Sequence, residues 1–333
     1  MTNPDPHFWR GKSVLVTGGT GFIGSHIVDQ LLALGARVRV SYYRQRDVPQ
    51  NLTHDRSQIE MVKVDLRLAA PALEACRDME VVLHTAANVG SVQYNIEHPG
   101  SIYRDNILLN TQIMEAARLS QVDRTVIVSS ASVYPRICTI PTPESEGFQG
   151  EPDPTNQGYA WSKRMAELQA QVYAREFGMK IGVVRPFNAY GPRDHFGESI
   201  SHVIPALIHR LCHATGPLTV WGSGHQTRAF LYADDFARGV ILSAEKYPTP
   251  DPINLGTDEE VAIRDVVNIL IRLSGKAVEP HFDTSHPDGQ PRRNSDNNKA
   301  KEKLGFSAQI KLEEGLRKTL TWYQSNILKR VQA

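Results

Sequence analysis

The chain has 333 residues, enough for a large core, and its 37 Lys and Arg balance 36 Asp and Glu to a formal net charge of +1. Such balance gives no general electrostatic pull toward nucleic acid or a membrane surface. Cys76, Cys138 and Cys212 are too few and scattered for a disulfide framework or metal-ligand pairs, no run approaches the ~18 apolar residues of a membrane span, and residues 1–12 lack a signal-peptide core, so a soluble cytoplasmic protein is expected.

The first predicted strand, Ser13 to Thr17, runs straight into Gly18-Gly19-Thr20-Gly21-Phe22-Ile23-Gly24. Gly18 suits a tight turn, Gly21 lets backbone amides approach a pyrophosphate, and Gly24 lets the next helix pack against the strand with its N-terminus toward phosphate. Phe22 and Ile23 complete this candidate cofactor loop. The helix is predicted over Ser25 to Leu34, ended by Gly35.

A second strand is predicted over Arg37 to Ser41. An acidic residue at its end would accept hydrogen bonds from the ribose 2′-hydroxyl of NAD. The chain instead continues Ser41-Tyr42-Tyr43-Arg44-Gln45-Arg46, and the guanidinium groups of Arg44 and Arg46 suit the 2′-phosphate of NADP. NADP is therefore the expected cofactor. NAD, served by Asp47 or a more distant acid, is the alternative.

Further strands are predicted over Ile59 to Val64, Val81 to His84, Thr125 to Ser129 and Ile181 to Val184, alternating with helical segments as a parallel sheet covered on both faces requires. The fold class is α/β: a doubly wound parallel (Rossmann) sheet over residues 1–185. The strand at Thr125 ends in Ser129 and Ser130, whose hydroxyls can bond a substrate oxygen. Prolines and glycines between Cys138 and Gln157 predict an irregular loop shielding the site. Tyr159 and Lys163 then fall on one helix face, about one turn apart. An ammonium beside a phenol favours the phenolate, so the tyrosine is expected to exchange a proton near neutral pH.

After Arg185 the alternation loosens into helices and short segments such as Leu218 to Trp221 and Ile253 to Leu255. Residues 186–333 are read as a smaller mixed α/β substrate-binding lobe, interleaved with the first, with the cleft between them. His209, His213 and His225 have no acid or cysteine spacing that suggests a metal.

The segments TGGTGFIG at residues 17–24, Val64-Asp65-Leu66-Arg67, His84-Thr85-Ala86-Ala87, Ser129 to Pro135, YAWSK at residues 159–163 and Arg185 to Pro192 together resemble the extended short-chain dehydrogenase/reductases. The likeness is to the NAD(P)-dependent nucleotide-sugar epimerase/dehydratase branch and covers nearly the whole chain. Ser201 to Ile208 and Val220 to Gly224 resemble the GDP-fucose synthases. Gln226-Thr227-Arg228, Arg293 to Asn298 and Lys301 to Gly305 resemble the GDP-mannose 3,5-epimerases.

The resemblance implies an enzyme with Ser130, Tyr159 and Lys163 as catalytic residues and His202 in the place of a second acid/base group. It puts Asp65, Leu66, Ala86, Ala87, Tyr159 and Lys163 at the cofactor, Asp65 against the adenine. It puts Ser132, Asn188, His202, Trp221, Arg228 and Arg293 at a nucleotide-sugar substrate, with Asn188 and the arginines near the diphosphate. A homodimer through the helices around Asn106 to Ser120 and Ser162 to Phe177 is also implied.

Two departures narrow the chemistry. Where the resembled 4,6-dehydratases carry an Asp-Glu pair, this chain has Ala131 and Ser132, which disfavours dehydration. Where the two 3,5-epimerising groups carry a cysteine, it has Ser132, and a hydroxyl is a far poorer acid than a thiol. The expected activity is NADPH-dependent reduction at C-4 of a 4-keto nucleotide sugar, GDP-linked by preference. A C-4 epimerase with retained NAD(P), less readily a 3,5-epimerase, and a catalytically idle nucleotide-binding relative are the alternatives.

Overall fold

The computed structural model describes residues 2–43, 51–52, 56–90, 92–197, 201–286 and 289–329. Strands β1 (Ser13–Thr17), β2 (Arg37–Tyr42), β3 (Ile59–Lys63), β4 (Val81–His84), β5 (Arg124–Val128) and β6 (Lys180–Pro186) lie parallel in one sheet. Its order is Ile253–Leu255, β6, β5, β4, β1, β2, β3. Ile253–Leu255, grouped from sequence with the later lobe, is thus the seventh strand, paired in parallel with Val184 to Pro186.

Side chains of successive strand residues go to opposite faces. Val14 and Val16 pack with Ile27, Val28 and Leu31 of the helix Phe22–Ala33 and with Phe236, Val240 and Ile241 of the helix Ala233–Lys246. Leu15 and Val82 pack on the other face with Ala72, Cys76, Ile113 and Ala117. Each fully buried aliphatic side chain contributes about 1.5–3 kcal/mol, and a one-residue slip would exchange the two faces, so the pattern holds the register. The order of connection changes direction between β1 and β4, and the C-terminal ends of strands at such a switch point form a crevice that binds ligands.

A second core gathers later residues, among them Tyr190, Leu207, Leu211, Phe230, Val267, Leu316 and Tyr323. Leu218–Trp221 pairs with Pro280–Asp283, and Thr227–Ala229 lies between Glu260–Ala262 and Arg292–Arg293. The proline-rich stretch after Cys138 forms short 3-10 turns at Glu144–Phe148 and Pro154–Asn156. The helix Gln157–Phe177 follows at once.

One boundary departs from the sequence reading in a way that matters for the site. The helix after β1 begins at Phe22 rather than Ser25, because Gly21 already holds the extended conformation of a helix cap. Phe22, Ile23 and Gly24 are therefore its first turn.

Candidate active site

The chain leaves β1 through Gly18, whose φ of +64° favours glycine. A Cβ on Gly24 would stand 2.3 Å from the carbonyl oxygen of Gly18 and 2.8 Å from the Cα of Gly19, so helix and turn touch backbone to backbone. No side chain caps the helix at Gly21, and its first-turn amides point out of the helix end beside the switch point. This uncapped, glycine-lined turn fits the pyrophosphate of a dinucleotide.

The strand ends behind the turn are tightly joined. Thr17 Oγ1 accepts from the amides of Thr85 and Ala86, at 3.1 and 3.2 Å, and lies 2.8 Å from His84 Nδ1. His84 Nε2 faces the carbonyl oxygen of the Asn110 side chain at 3.1 Å, so Nε2 carries the proton and Nδ1 accepts from Thr17. Burial, with the charge of Lys163 second, pushes the imidazole pKa down to about 3 and keeps it neutral. Ala86 sits directly over the turn, 3.1 Å from where a Cβ of Gly18 would be.

At the other end of this crevice Asp65 does not stand free. Its carboxylate accepts from the Arg67 backbone at 3.0 Å and from the Arg67 guanidinium at 2.9 and 2.7 Å, which holds its pKa below the usual range. The same guanidinium lies over the ring of Tyr43 and donates to its hydroxyl at 3.1 Å. Leu66 is buried beside them. Arg44 and Arg46 lie outside the described residues.

Ser130 follows β5 and caps the turn Ala131–Val133, its hydroxyl accepting from the amide of Ser132 at 3.1 Å. Tyr159 and Lys163 share one face of the helix Gln157–Phe177, as their spacing requires, and Tyr159 is hydrogen-bonded to Ser130. Lys163 Nζ lies 5.5 Å from the centre of the Tyr159 ring and donates to the carbonyl of Val128 at 2.8 Å. The expectation that the lysine would favour the phenolate is corrected here. Burial pushes the Tyr159 pKa up to about 12 against the pull of the Ser130 hydrogen bond. Burial also pushes Lys163 down to about 8, opposed by Glu167. At neutral pH this is a neutral phenol beside an ammonium, an arrangement able to give a proton.

The substrate candidates divide. Arg293 donates to the carbonyl of Ala131, in the turn that starts at Ser130, and stands opposite Arg228 in the pairing of Arg292–Arg293 with Thr227–Ala229. Arg228 donates to the carbonyls of Thr227 and Gln290 at 2.7 and 2.8 Å. Burial and then Arg293 push the Arg228 pKa down to about 10, and burial lowers that of Arg293. The nearby Glu260 is taken by Arg292 at 2.7 Å. Two adjacent cations without a direct carboxylate partner among the described residues suit a doubly charged phosphate group.

Asn188 adopts a left-handed φ of +43° and donates to the carbonyl of Ala229 at 2.9 Å, which pins the strand carrying Arg228. Ser132 is partly exposed, and its oxygen accepts from Asn156 at 2.8 Å. The His202 side chain is 59% exposed; its described partner is the buried carboxylate of Asp194, 3.9 Å away, which raises its pKa. Trp221 is 52% exposed, stacked on His286 and covered by Arg210. The structure thus joins Ser130, Ser132, Tyr159, Lys163 and Arg293, and holds Trp221 and His202 through other partners.

Sequence reasoning missed Glu167. It is fully buried, accepts from Ser129 and pairs with Arg185 at 2.6 Å, tying β5 and β6 to the helix of Tyr159 and Lys163. Extending the four-residue spacing from Tyr159 through Lys163 by one more step would have found it. Asn156, which reaches Ser132, and Asn95, which reaches Asn156, carried no sequence signal. No group of three or more metal-binding side chains is present among the described residues, and no described helix is long and apolar enough to cross a membrane.

A glycine turn that fits a dinucleotide at the switch point of a parallel sheet, in a chain that also brings a serine, a tyrosine and a lysine together, is the architecture of a nucleotide-dependent oxidoreductase. The chain belongs to the NAD dependent epimerase/dehydratase family, whose sequence signature matches residues 14–256. It is similar to a dTDP-4-dehydro-6-deoxy-D-allose reductase of a Streptomyces species, 32% identical over 322 residues that cover 95% of this chain and 97% of the relative. It is also similar to the GDP-L-fucose synthase of Escherichia coli, 33% identical over 328 residues covering 95% and 97%. Among solved structures, the epimerase Mth375 of Methanothermobacter thermautotrophicus superposes with a TM-score of 0.89 at 26% identity, over 98% of this chain and 96% of the other.

Proposed function

We propose that this enzyme reduces the C-4 carbonyl of a 4-keto nucleotide sugar with NADPH, with GDP-linked sugars the first to try. The observation that carries the reading is the placement of Tyr159 beside Ser130 and Lys163, with the ammonium 5.5 Å from the centre of the phenol ring. Reduction needs a proton donor at the carbonyl oxygen, and Tyr159 is in the protonated form. Ser130 orients that oxygen through its hydroxyl. The ammonium of Lys163 stabilises the phenolate left behind and helps hold the cofactor. Bound NADPH supplies a hydride.

The remaining residues bind. The Gly18, Gly21 and Gly24 turn, with Phe22 and Ile23, holds the cofactor pyrophosphate, Asp65 and Leu66 line the adenine, and Ala86 and Ala87 border the nicotinamide half. Arg44 and Arg46 meet the 2′-phosphate, which favours NADP over NAD. Arg228 and Arg293 clamp the substrate diphosphate, and the segment after residue 186 supplies the sugar side of the cleft. His202, held by Asp194, serves as a sugar contact. Two relatives named as reductases of a dTDP-linked 4-dehydro sugar support the assignment.

A panel of GDP-, UDP- and dTDP-linked 4-keto sugars with NADPH tests it. Reduction predicts one NADPH consumed per product. Conversion without NADPH loss would replace this reading with the epimerase.

A further inference from the structure

The turn that starts at Ser130 is reached from three sides. Ser130 meets Tyr159, the carbonyl of Ala131 meets Arg293, and the hydroxyl of Ser132 meets Asn156. The third contact belongs to no role assigned above. Asn156 Nδ2 donates to Ser132 Oγ at 2.8 Å, and Asn156 Oδ1 accepts from Asn95 Nδ2, also at 2.8 Å. Asn95 sits on the helix Val92–Glu97 with only 8% of its surface exposed, and its own side-chain oxygen is buried without a partner among the described residues. Asn156 closes the turn Pro154–Asn156, three residues before Tyr159.

A serine hydroxyl has one proton to give and two lone pairs to receive. With Asn156 donating into its oxygen, Ser132 is left with its proton for the cleft, and an oxygen that already accepts is a weaker base. We propose that Asn156, held by Asn95, is a positioning residue that fixes Ser132 as a hydrogen-bond donor to an oxygen of the bound sugar beside the reacting carbon. This deepens the reductase reading and rests on it. The polarity of the chain selects sugars that present an acceptor oxygen at this point. It also gives a physical reason why Ser132 does not abstract a proton from a neighbouring carbon.

The polarity makes the inference testable. Asn156→Asp keeps the shape but turns the donor into an acceptor, so Ser132 would spend its proton on the carboxylate. Ser132→Ala should lower kcat/KM for the 4-keto sugar by roughly two- to tenfold, the size of one neutral hydrogen bond. Asn156→Asp should lower it at least as much, with NADPH affinity and melting temperature unchanged. In the Ser132→Ala background it should cost less than about twofold more, since coupled residues are not additive.

Asn95→Ala, which loosens Asn156 without removing it, gives a second arm should Asn156→Asp fail to fold. Its loss should likewise vanish in the Ser132→Ala background. Additive losses, or an Asn156→Asp enzyme as active as wild type, would overturn the inference, the latter by showing that the chain runs the other way. If wild type reduces none of the panel, the reductase reading falls by itself. The same cycle is then read as calorimetric affinity for GDP-mannose, UDP-glucose and dTDP-glucose, where coupling supports the inference and its absence, or no binding at all, overturns it.

Discussion

Tyr159 is asked to deliver one proton, and its surroundings decide whether it holds one. Replacing it with Phe removes that proton and no binding charge, so turnover should fall by at least ~10²-fold while NADPH affinity stays nearly unchanged. Single-turnover rates and a cofactor titration check both halves. Near-normal chemistry in Tyr159→Phe would remove the tyrosine from the mechanism.

Lys163 gives a pH dependence with a definite sign. Its pKa is lowered to about 8, so the ammonium is complete below that value and is lost as the pH rises through it, while Tyr159 at about 12 remains protonated. The reductive rate should therefore be level through neutral pH and fall above about 8. An initial-rate profile that breaks only on the acid side would contradict this. The spacing of Tyr159 and Lys163 was plain in the sequence. Their protonation was not, because spacing shows which groups meet and says nothing about how much water surrounds them.

Two elements carry the binding in the proposed reading. The glycine turn can be read residue by residue because each glycine answers a backbone requirement, yet apolar periodicity puts the helix start three residues late, since it does not show where a glycine cap ends. The arginine pair is the opposite case. Arg228 and Arg293 stand far apart in sequence, and only the pairing of their two short strands makes them neighbours. Sequence gave them a role through resemblance, not through position.

Arg228→Ala should weaken nucleotide-sugar binding by about tenfold or more, from a charge-assisted contact of roughly 1.5–3 kcal/mol, and leave NADPH binding intact. Calorimetry with a GDP-sugar decides it; unchanged affinity would detach Arg228 from the diphosphate. Arg67, whose guanidinium reaches Tyr43 just past the end of β2, is already matched by Asp65. On the proposed reading wild type binds NADPH better than NADH, and this preference should fall about tenfold or more when Arg44 and Arg46 are both changed to Ala, as titration of the two cofactors would show. Equal losses would place the discrimination elsewhere.

At the scale of the whole molecule, the alternation of apolar strands and helices led directly to the doubly wound sheet, because strands buried on both faces leave an unmistakable apolar run. The seventh strand escaped. Ile253–Leu255 is three residues long, and nothing local separates it from the short strands around it; its place beside β6 is set by long-range packing of Ile253 and Leu255 into the first core.

The central claim is hydride delivery to C-4 with a proton from Tyr159. It is tested most directly with NADPH carrying deuterium at both C-4 positions of the nicotinamide, incubated with a 4-keto nucleotide sugar, and mass spectrometry of the sugar product. The account predicts one deuterium in every product molecule, located at C-4. A product of changed configuration that carries no deuterium would contradict it and assign the enzyme to epimerase chemistry.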